Sequence, residues 1–460
     1  MSQQTHVSVV ILAAGQGTRM KSKLPKVLHP IGGRPLLAHV IHTASNLNAV
    51  QTVVVYGHGG DLVRNTLAGE SVAWVEQAKQ LGTGHAVAQA IPQIADDHCI
   101  LILYGDVPLT RATTLSDLIY RAGSDKLAVL TVHLDNPFGY GRIVRGEHGH
   151  IQRIVEQRDI NDAEKKIKEV NTGILAVNGK LLKGWLQRLD NKNAKGEYYL
   201  TDIISMAVAD GVGVVTAHPA SEDEVLGVNS RSQLAYLERA YQRQRAEELM
   251  LQGVTIIDPA RIDIRGNVIV GQDVTLDVNV VLEGDVNIGS DVYIGPNCVL
   301  RNTTVEDGVQ MQAMCVADGA HIGAKSLVGP FMRLRPGAHL LGDNHIGNFV
   351  EVKNSVIGKG SKVNHLTYIG DTDMGGGVNI GAGTITANYD GANKHRTIIG
   401  DNAFTGSNSV LVAPVAIGAG ATIGAGSVIT RDAPAGKLTV ARGKQVTLEG
   451  WQRPVKKPKQ

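Results

Sequence analysis

Three stretches of this chain combine residue types that do chemistry. The first is LAAGQGTRMKSKLPK, residues 12–26. The small residues Ala13, Ala14, Gly15 and Gly17 let a backbone approach a ligand closely, and their N–H groups can bind phosphate oxygens. Arg19 and Lys26 add positive charge. The spacing is that of neither the P-loop nor the Rossmann fingerprint, and a tight turn with surface basic residues is the competing reading. The second stretch is YGDVPL, residues 104–109. Tyr104, Gly105 and Asp106 close the apolar run CILIL, so a carboxylate stands where a buried strand ends. It could hold Mg²⁺ beside a phosphate, or serve as a helix N-cap or turn aspartate.

The third stretch lies far downstream, in RLRPGAHL, EVKNS, NHLTYIGD and GVNIGAGTITANYDGANKHRT, between residues 333 and 397. Polar and charged residues interrupt an otherwise regular aliphatic pattern here: Arg335, Lys353, Asn364, His365, Tyr368, Asn379, Asn388, Tyr389 and Asp390. Polar residues that break a repeat usually lie in loops on one face. Among the 16 histidines, His365 has this setting and Tyr368 close by. It is the candidate general base.

The elements that must position these groups fall into two grammars. Residues 1–229 alternate short apolar runs with helix-length segments: VSVVIL, PLLAHVIHTASNL, TVVVYG, GHAVAQAI, CILILYGD. Continuous apolar strands of this kind predict an α/β domain, Rossmann-like, with a mostly parallel sheet covered on both faces. Ligands on such sheets gather at the carboxyl ends of the strands. Residues 230–253 predict a helical linker arm with Leu234, Leu237, Tyr241 and Leu249 as its stripe and Gly253 as its stop. From 254 to 460 the period becomes six. One row runs Ile264, Val270, Leu276, Leu282, Ile288, Ile294, Leu300. A second runs Val316, Ile322, Val328, Leu334, Leu340, Ile346, Val352, and a third Leu411, Ile417, Ile423, Ile429. This predicts a left-handed parallel β-helix of hexapeptide repeats, in which each sixth side chain points inward and the glycines that follow take turns of positive φ.

The bulk properties narrow the classes. A chain of 460 residues with 43% hydrophobic content implies two or three domains. A net charge of +2 leaves no basic field for nucleic acid, and the basic end RPVKKPK reads as a solvated tail. Cys99, Cys298 and Cys315 are odd in number and lack metal spacing, which points to a reducing compartment. The first apolar run is too short to span a membrane and ends in a glycine loop, so a cytoplasmic protein is expected.

LAAGQGTRM followed by PK, together with YGD, resembles the sugar-nucleotidyltransferase family. QLGTGHA (80–86), GYGRI (139–143), IVE (154–156), NTG (171–173) and GVNS (227–230) extend the match in order. Over essentially the whole chain the sequence resembles the bacterial bifunctional N-acetylglucosamine-1-phosphate uridylyltransferase and glucosamine-1-phosphate N-acetyltransferase family. That resemblance implies that Leu12, Ala13, Ala14, Gly15, Lys26, Gln77, Gly82 and Thr83 bind the uridine nucleotide, with Arg19, Tyr104 and Gly105 beside it. Gly141, Glu156 and Asn171 would bind the sugar, and Asp106 and Asn229 would ligate Mg²⁺. In the second domain His365 would be the base, and Arg335, Lys353, Tyr368 and Asn379 would hold the sugar phosphate. Ala382, Asn388, Tyr389, Ser407, Ala425 and Arg442 would meet acetyl-CoA. The implied substrates are glucosamine 1-phosphate, N-acetylglucosamine 1-phosphate, UTP and acetyl-CoA, the implied product is UDP-N-acetylglucosamine, and the implied assembly is a homotrimer. Two other readings stay open: a one-reaction nucleotidyltransferase with a β-helix that only assembles it, and a regulatory exchange subunit without turnover.

Overall fold

The computed structural model describes residues 6–57 and 59–456, and the chain divides into two compact units, 1–244 and 245–460. The last four residues of the basic end, 457–460, lie outside the described residues; Arg453–Lys456 are exposed.

Unit 1 is built on a sheet of nine strands: β1 (Val7–Ala13), β2 (Gln51–Tyr56), β3 (Ala73–Glu76), β4 (Cys99–Tyr104), β5 (Leu127–His133), β6 (Arg142–Arg145), β7 (Ile151–Val155), β8 (Glu169–Asn178) and β9 (Val214–Ala217). The main order is β9-β5-β8-β4-β1-β2-β3, with the β6–β7 hairpin attached through β8. All its pairings are parallel except those of β8 and the hairpin. All seven residues of β1 are buried because both faces are covered. Val7, Val9, Ile11 and Ala13 face one apolar cluster, and Val10 and Leu12 face another. Helices α1 (Leu36–Ser45), α2 (Gly60–Thr66) and α4 (Ala112–Ala122) cover the first face. Helices α3 (Thr83–Ala90), α5 (Gly179–Leu186) and α6 (Ile203–Ala209) cover the second.

Helix α7 runs Arg231–Leu251. Within unit 1 its Leu237 and Ala240 pack with Met20, Ile31 and Leu36. Within unit 2 its Ala246 and Leu249 join the second core.

Unit 2 is a parallel β-helix. Its strands form one sheet of 11 and another of 17, all in parallel register. Equivalent residues on most successive coils are 17 or 18 positions apart, as in Leu276↔Ile294, Ile294↔Met311 and Val328↔Ile346. Inside, aliphatic side chains stack: Leu282, Leu300, Leu334, Val352 and Leu411 are all 0% exposed. Burying columns of branched aliphatics at roughly 25 cal/mol per Å² is the main stabilising term of such a prism.

Two expectations are corrected here. Val316 does not point inward: it is 36% exposed, while Ala317 is fully buried. A coil of 17 residues has one leg of five, so the inward row runs Leu300, Val305, Met311, Ala317, Ile322 and strict sixfold counting slips by one. Nor are most glycines that follow inward aliphatics in the left-handed region. Gly295 does not have positive φ; a Cβ there would lie 2.9 Å from the Ala313 backbone N on the next coil. Close approach of coils selects glycine. The left-handed corners are shared between other glycines, such as Gly308 and Gly319, and Asn or Asp, such as Asn279, Asp291 and Asn297, whose short polar side chains tolerate that conformation.

Candidate functional site

Each unit carries one cluster. In unit 1 a cleft of about 360 Å³ opens at the carboxyl ends of β1 and β4, lined by Leu12, Ala13, Ala14, Gly15, Lys26, Gln77, Gly82, Thr83, Tyr104 and Asp106. The chain leaves β1 through small residues, so backbone forms this wall. Gln80 Nε2 donates to the Ala14 carbonyl at 2.7 Å and fixes the loop. Gln77, buried, donates to the Gly82 carbonyl at 3.1 Å. Gly82 has φ 115°, and a Cβ there would lie 2.7 Å from the Tyr198 backbone N; only glycine fits.

Lys26 Nζ forms an ion pair with Asp106 Oδ2 and also donates to Asn229 Oδ1 at 3.2 Å. Three residues remote in sequence therefore converge on one cation position. Asp106 does not cap a helix: α4 begins at Ala112 with Arg111 at its N-cap. Val228 N donates to the Asp106 carbonyl at 2.9 Å, which brings the GVNS segment alongside YGD.

Deeper in the cleft, burial and then the carboxylates of Glu156 and Asp106 hold the Tyr104 phenol well above its ordinary range. Gly173 exists because Tyr104 is there: a Cβ would lie 3.0 Å from its hydroxyl. Asn171 N donates to the Gly141 carbonyl at 2.9 Å, and Asn171 Oδ1 accepts from Gly173 N at 3.0 Å. Glu156 accepts from Thr201 Oγ1 at 3.2 Å, while burial raises its pKa. Arg19 is exposed in the turn Thr18–Met20, whose Met20 is buried, and does not line the cleft. Sequence reasoning did not single out Gln80, Glu197 or Thr201. Gln80 lies within QLGTGHA; Glu197 and Thr201 lie in EYYLT, whose polar residues follow no repeat and carry no signal.

In unit 2, His365 is exposed at the end of strand Lys362–His365, and its Nδ1 lies 3.0 Å from Asn348 Oδ1. With the amide oxygen as acceptor, Nδ1 carries the proton and Nε2 keeps a free lone pair. Around the corner at Leu366 stand Arg335, Glu351, Lys353 and Tyr368 on adjacent coils. Arg335 Nη1 donates to Glu351 Oε1 at 2.8 Å, and Lys353 Nζ lies 4.0 Å from Asp371 Oδ2. Lys394 beside it lowers the Lys353 pKa, as burial does. Asn379 is in register with Lys362 on the neighbouring face.

Four of the remaining predicted residues, Ala382, Ser407, Ala425 and Arg442, form a column with His365. Asn348 and His365 are register partners. Gly383 N donates to the His365 carbonyl, Asn408 N to the Ala382 carbonyl, and Gly426 N to the Ser407 carbonyl. Arg442 Nη1 then donates to the Ala425 carbonyl at 2.9 Å. His365, Ala382, Ser407, Ala425 and Arg442 thus follow one another coil by coil along a corner. Asn388 and Tyr389 open an insert that lengthens one coil to 25 residues, from Ile380 to its partner Thr405. Asn348 was not singled out from the sequence; its placement one coil before His365 was the available signal.

A family model described as MobA-like NTP transferase domain matches residues 9–255, and one described as Bacterial transferase hexapeptide (six repeats) matches residues 267–302 and 396–431. The segment between those matches is also β-helix, but with five-residue legs and the insert. The chain is 57% identical over 448 residues to "Bifunctional protein GlmU" of Marinobacter nauticus, covering 97% of this chain and 99% of that one. It is 57% identical over 454 residues to the protein of the same name from Ralstonia pickettii, covering 99% and 100%. The corresponding protein of Acinetobacter baumannii is 57% identical over 449 residues, covering 98% and 99%.

Proposed function

The chain belongs to the GlmU family of bifunctional proteins, and on that premise we propose which of its residues carry each of two reactions. The protein is a bifunctional enzyme of UDP-N-acetylglucosamine biosynthesis. It acetylates glucosamine 1-phosphate, then transfers a uridylyl group from UTP to N-acetylglucosamine 1-phosphate with release of pyrophosphate.

The observation that carries the residue assignment is the gathering of both predicted sets, each within its own unit. In unit 1, Asp106 and Asn229 offer two hard oxygens to one cation position, now facing the Lys26 ammonium. That donor set fits Mg²⁺, which takes one or two carboxylates and fills its remaining positions with phosphate and water. Bound there, Mg²⁺ would neutralise charge on the polyphosphate. The N–H groups of Ala13, Ala14 and Gly15 hold phosphate oxygens, and Lys26 adds a mobile positive charge. Gln77, Gly82 and Thr83 hold the base, while Gly141, Glu156 and Asn171 hold the acetylated sugar. The attacking phosphate is already anionic near neutral pH, so the protein's work is alignment and charge balance rather than proton removal. Arg19, exposed on the loop that follows β1, adds positive charge for the polyphosphate.

In unit 2, Nε2 of His365 removes a proton from the 2-amino group as that nitrogen attacks the thioester carbonyl of acetyl-CoA. The new C–N bond replaces the C–S bond, and coenzyme A departs as the thiol. Asn348 keeps the imidazole in the required tautomer. Arg335, Lys353, Tyr368 and Asn379 hold the sugar phosphate. Ala382, Asn388, Tyr389, Ser407, Ala425 and Arg442 hold the acyl donor.

The working form is a cytoplasmic homotrimer. Support for assembly comes from one corner of the prism, where Met314, Phe331, Phe349 and Leu366 stand on successive coils in the left-handed region, with φ from 49° to 61°. Each is strained there and about half exposed, and the two Phe rings stack at 5.3 Å. An exposed apolar ridge kept at the expense of strain fits a subunit contact. Support for the cytoplasm comes from three free, buried thiols. Among the described residues no helix is long and apolar enough to cross a membrane.

The test is one reaction mixture of glucosamine 1-phosphate, acetyl-CoA, UTP and Mg²⁺, with components omitted singly. Coenzyme A should appear without UTP, and pyrophosphate should require every component. Pyrophosphate release with acetyl-CoA omitted would show that the amino sugar itself is uridylylated and overturn the reaction order.

A further inference from the structure

Asp371 is 5% exposed and lies at a prism corner with φ 47°. Earlier coils place Asn302, Gly319, Gly337 and Asn354 at that corner, all with positive φ. Asparagine, aspartate or glycine would each satisfy the left-handed backbone there, so what sets Asp371 apart is the set of partners its carboxylate meets. Its Oδ1 accepts from the Asn354 amide and its Oδ2 from the Asn388 amide. The Lys353 ammonium lies 4.0 Å from Oδ2. Asn388 opens the inserted loop, whose Tyr389 and Lys394 pair across it. The same loop brings Lys394 back to Lys353.

We propose that Asp371 is a positioning residue that ties the sugar-phosphate grip at Lys353 to the acyl-donor loop at Asn388. This rests on the acetyl-transfer reading above. A carboxylate can accept from both amides and still attract the lysine; asparagine of the same shape accepts less and presents an NH₂ group to the other donors. Burial acts to raise the Asp371 carboxyl, but the Asn354 and Asn388 amides, with Lys353 and Lys394, outweigh it and leave it below its ordinary range. The charge holds together a cationic cluster of Lys353, Lys394 and Arg335 that would otherwise repel itself. Order in one substrate's grip is thereby shared with the other's.

The experiment uses the full chain and three variants, with both reactions measured. Asp371→Asn should raise KM for glucosamine 1-phosphate and for acetyl-CoA by about tenfold each, the loss expected of charge-assisted hydrogen bonds. Its kcat should change by less than about threefold, and its uridylyl transfer should stay at the wild-type rate. Asn354→Gly keeps the left-handed corner but removes the amide that touches no substrate group; both KM values should stay within about twofold of wild type. A merely structural Asp371 would make these two variants alike, with unfolding shifted and no KM split. Asp371→Asn with both KM values near wild type overturns the proposal. Should that variant not fold, Asn388→Ala cuts the tie from the loop side. It must then raise KM for the sugar phosphate as well as for acetyl-CoA, and an unchanged sugar-phosphate KM overturns the proposal. Wild-type protein that releases no coenzyme A would sink the acetyl-transfer reading itself, before any variant is compared.

Discussion

At His365 the imidazole is exposed, is bonded through Nδ1 to Asn348 and has Nε2 free. His365→Ala should lower acetyl transfer by about 10²–10⁴-fold, the usual worth of a positioned base. Uridylyl transfer, assayed on the same preparation, should not change. Asp106→Ala should act in reverse: it leaves Lys26 and Asn229 without their carboxylate, so pyrophosphate release collapses while coenzyme A release persists. Uridylyl transfer at the normal rate in that variant would remove Asp106 from the cation position. Asp202 makes a pH-dependent contribution. Burial, with Asp190, Glu156 and Asp159 nearby, raises its carboxyl to about 6. A raised acid binds its proton more tightly in the folded state. Its contribution to stability is therefore greatest below the ordinary carboxylate range and is lost as pH rises towards about 6. Asp202→Asn should raise the unfolding temperature of unit 1 at pH 7.5 and leave it unchanged near pH 4. Equal shifts at both pH values would mean that packing, not charge, is responsible.

At the level of elements, the prism is stabilised by its inward rows. Leu334 is fully buried between coils, and Leu334→Ala should cost about 2–5 kcal/mol, measured by denaturant unfolding. A cost below about 1 kcal/mol would show that the coils collapse onto the cavity. The same rows mark what the sequence made legible. Period six exposed the β-helix because one buried aliphatic per leg is a local rule, and β1 and β4 were legible because sheets covered on both faces need unbroken apolar runs. Val316 misled because a five-residue leg changes the count without changing composition. The glycines directly after inward aliphatics misled because neighbouring coils, about 17 residues away, impose their limits through space. Of the first cluster, the small-residue loop and YGD were legible as residue types. The approach of Asn229 to Lys26 across 203 positions came from resemblance, not from local pattern. Asn348 and Asp371 escaped because what distinguishes them is the residue one coil away.

For the whole molecule, the corner of Met314, Phe331, Phe349 and Leu366 predicts association. Phe349→Asp places charge in the middle of that ridge and should yield a monomer in sedimentation at micromolar concentration, with unit 1 activity intact. A trimer of undiminished stability would move the subunit contact elsewhere on the prism.

The file of His365, Ala382, Ser407, Ala425 and Arg442 has a metric consequence. Parallel strands sit about 4.8 Å apart, so four intervals from His365 to Arg442 measure about 19 Å. The prism is a ruler graduated in strand spacings. On the proposed reading, an acyl donor must be long and extended to present its thioester at one end of that scale while its charged head is held at the other. A truncated donor that carries the same thioester would reach the imidazole or the guanidinium, never both.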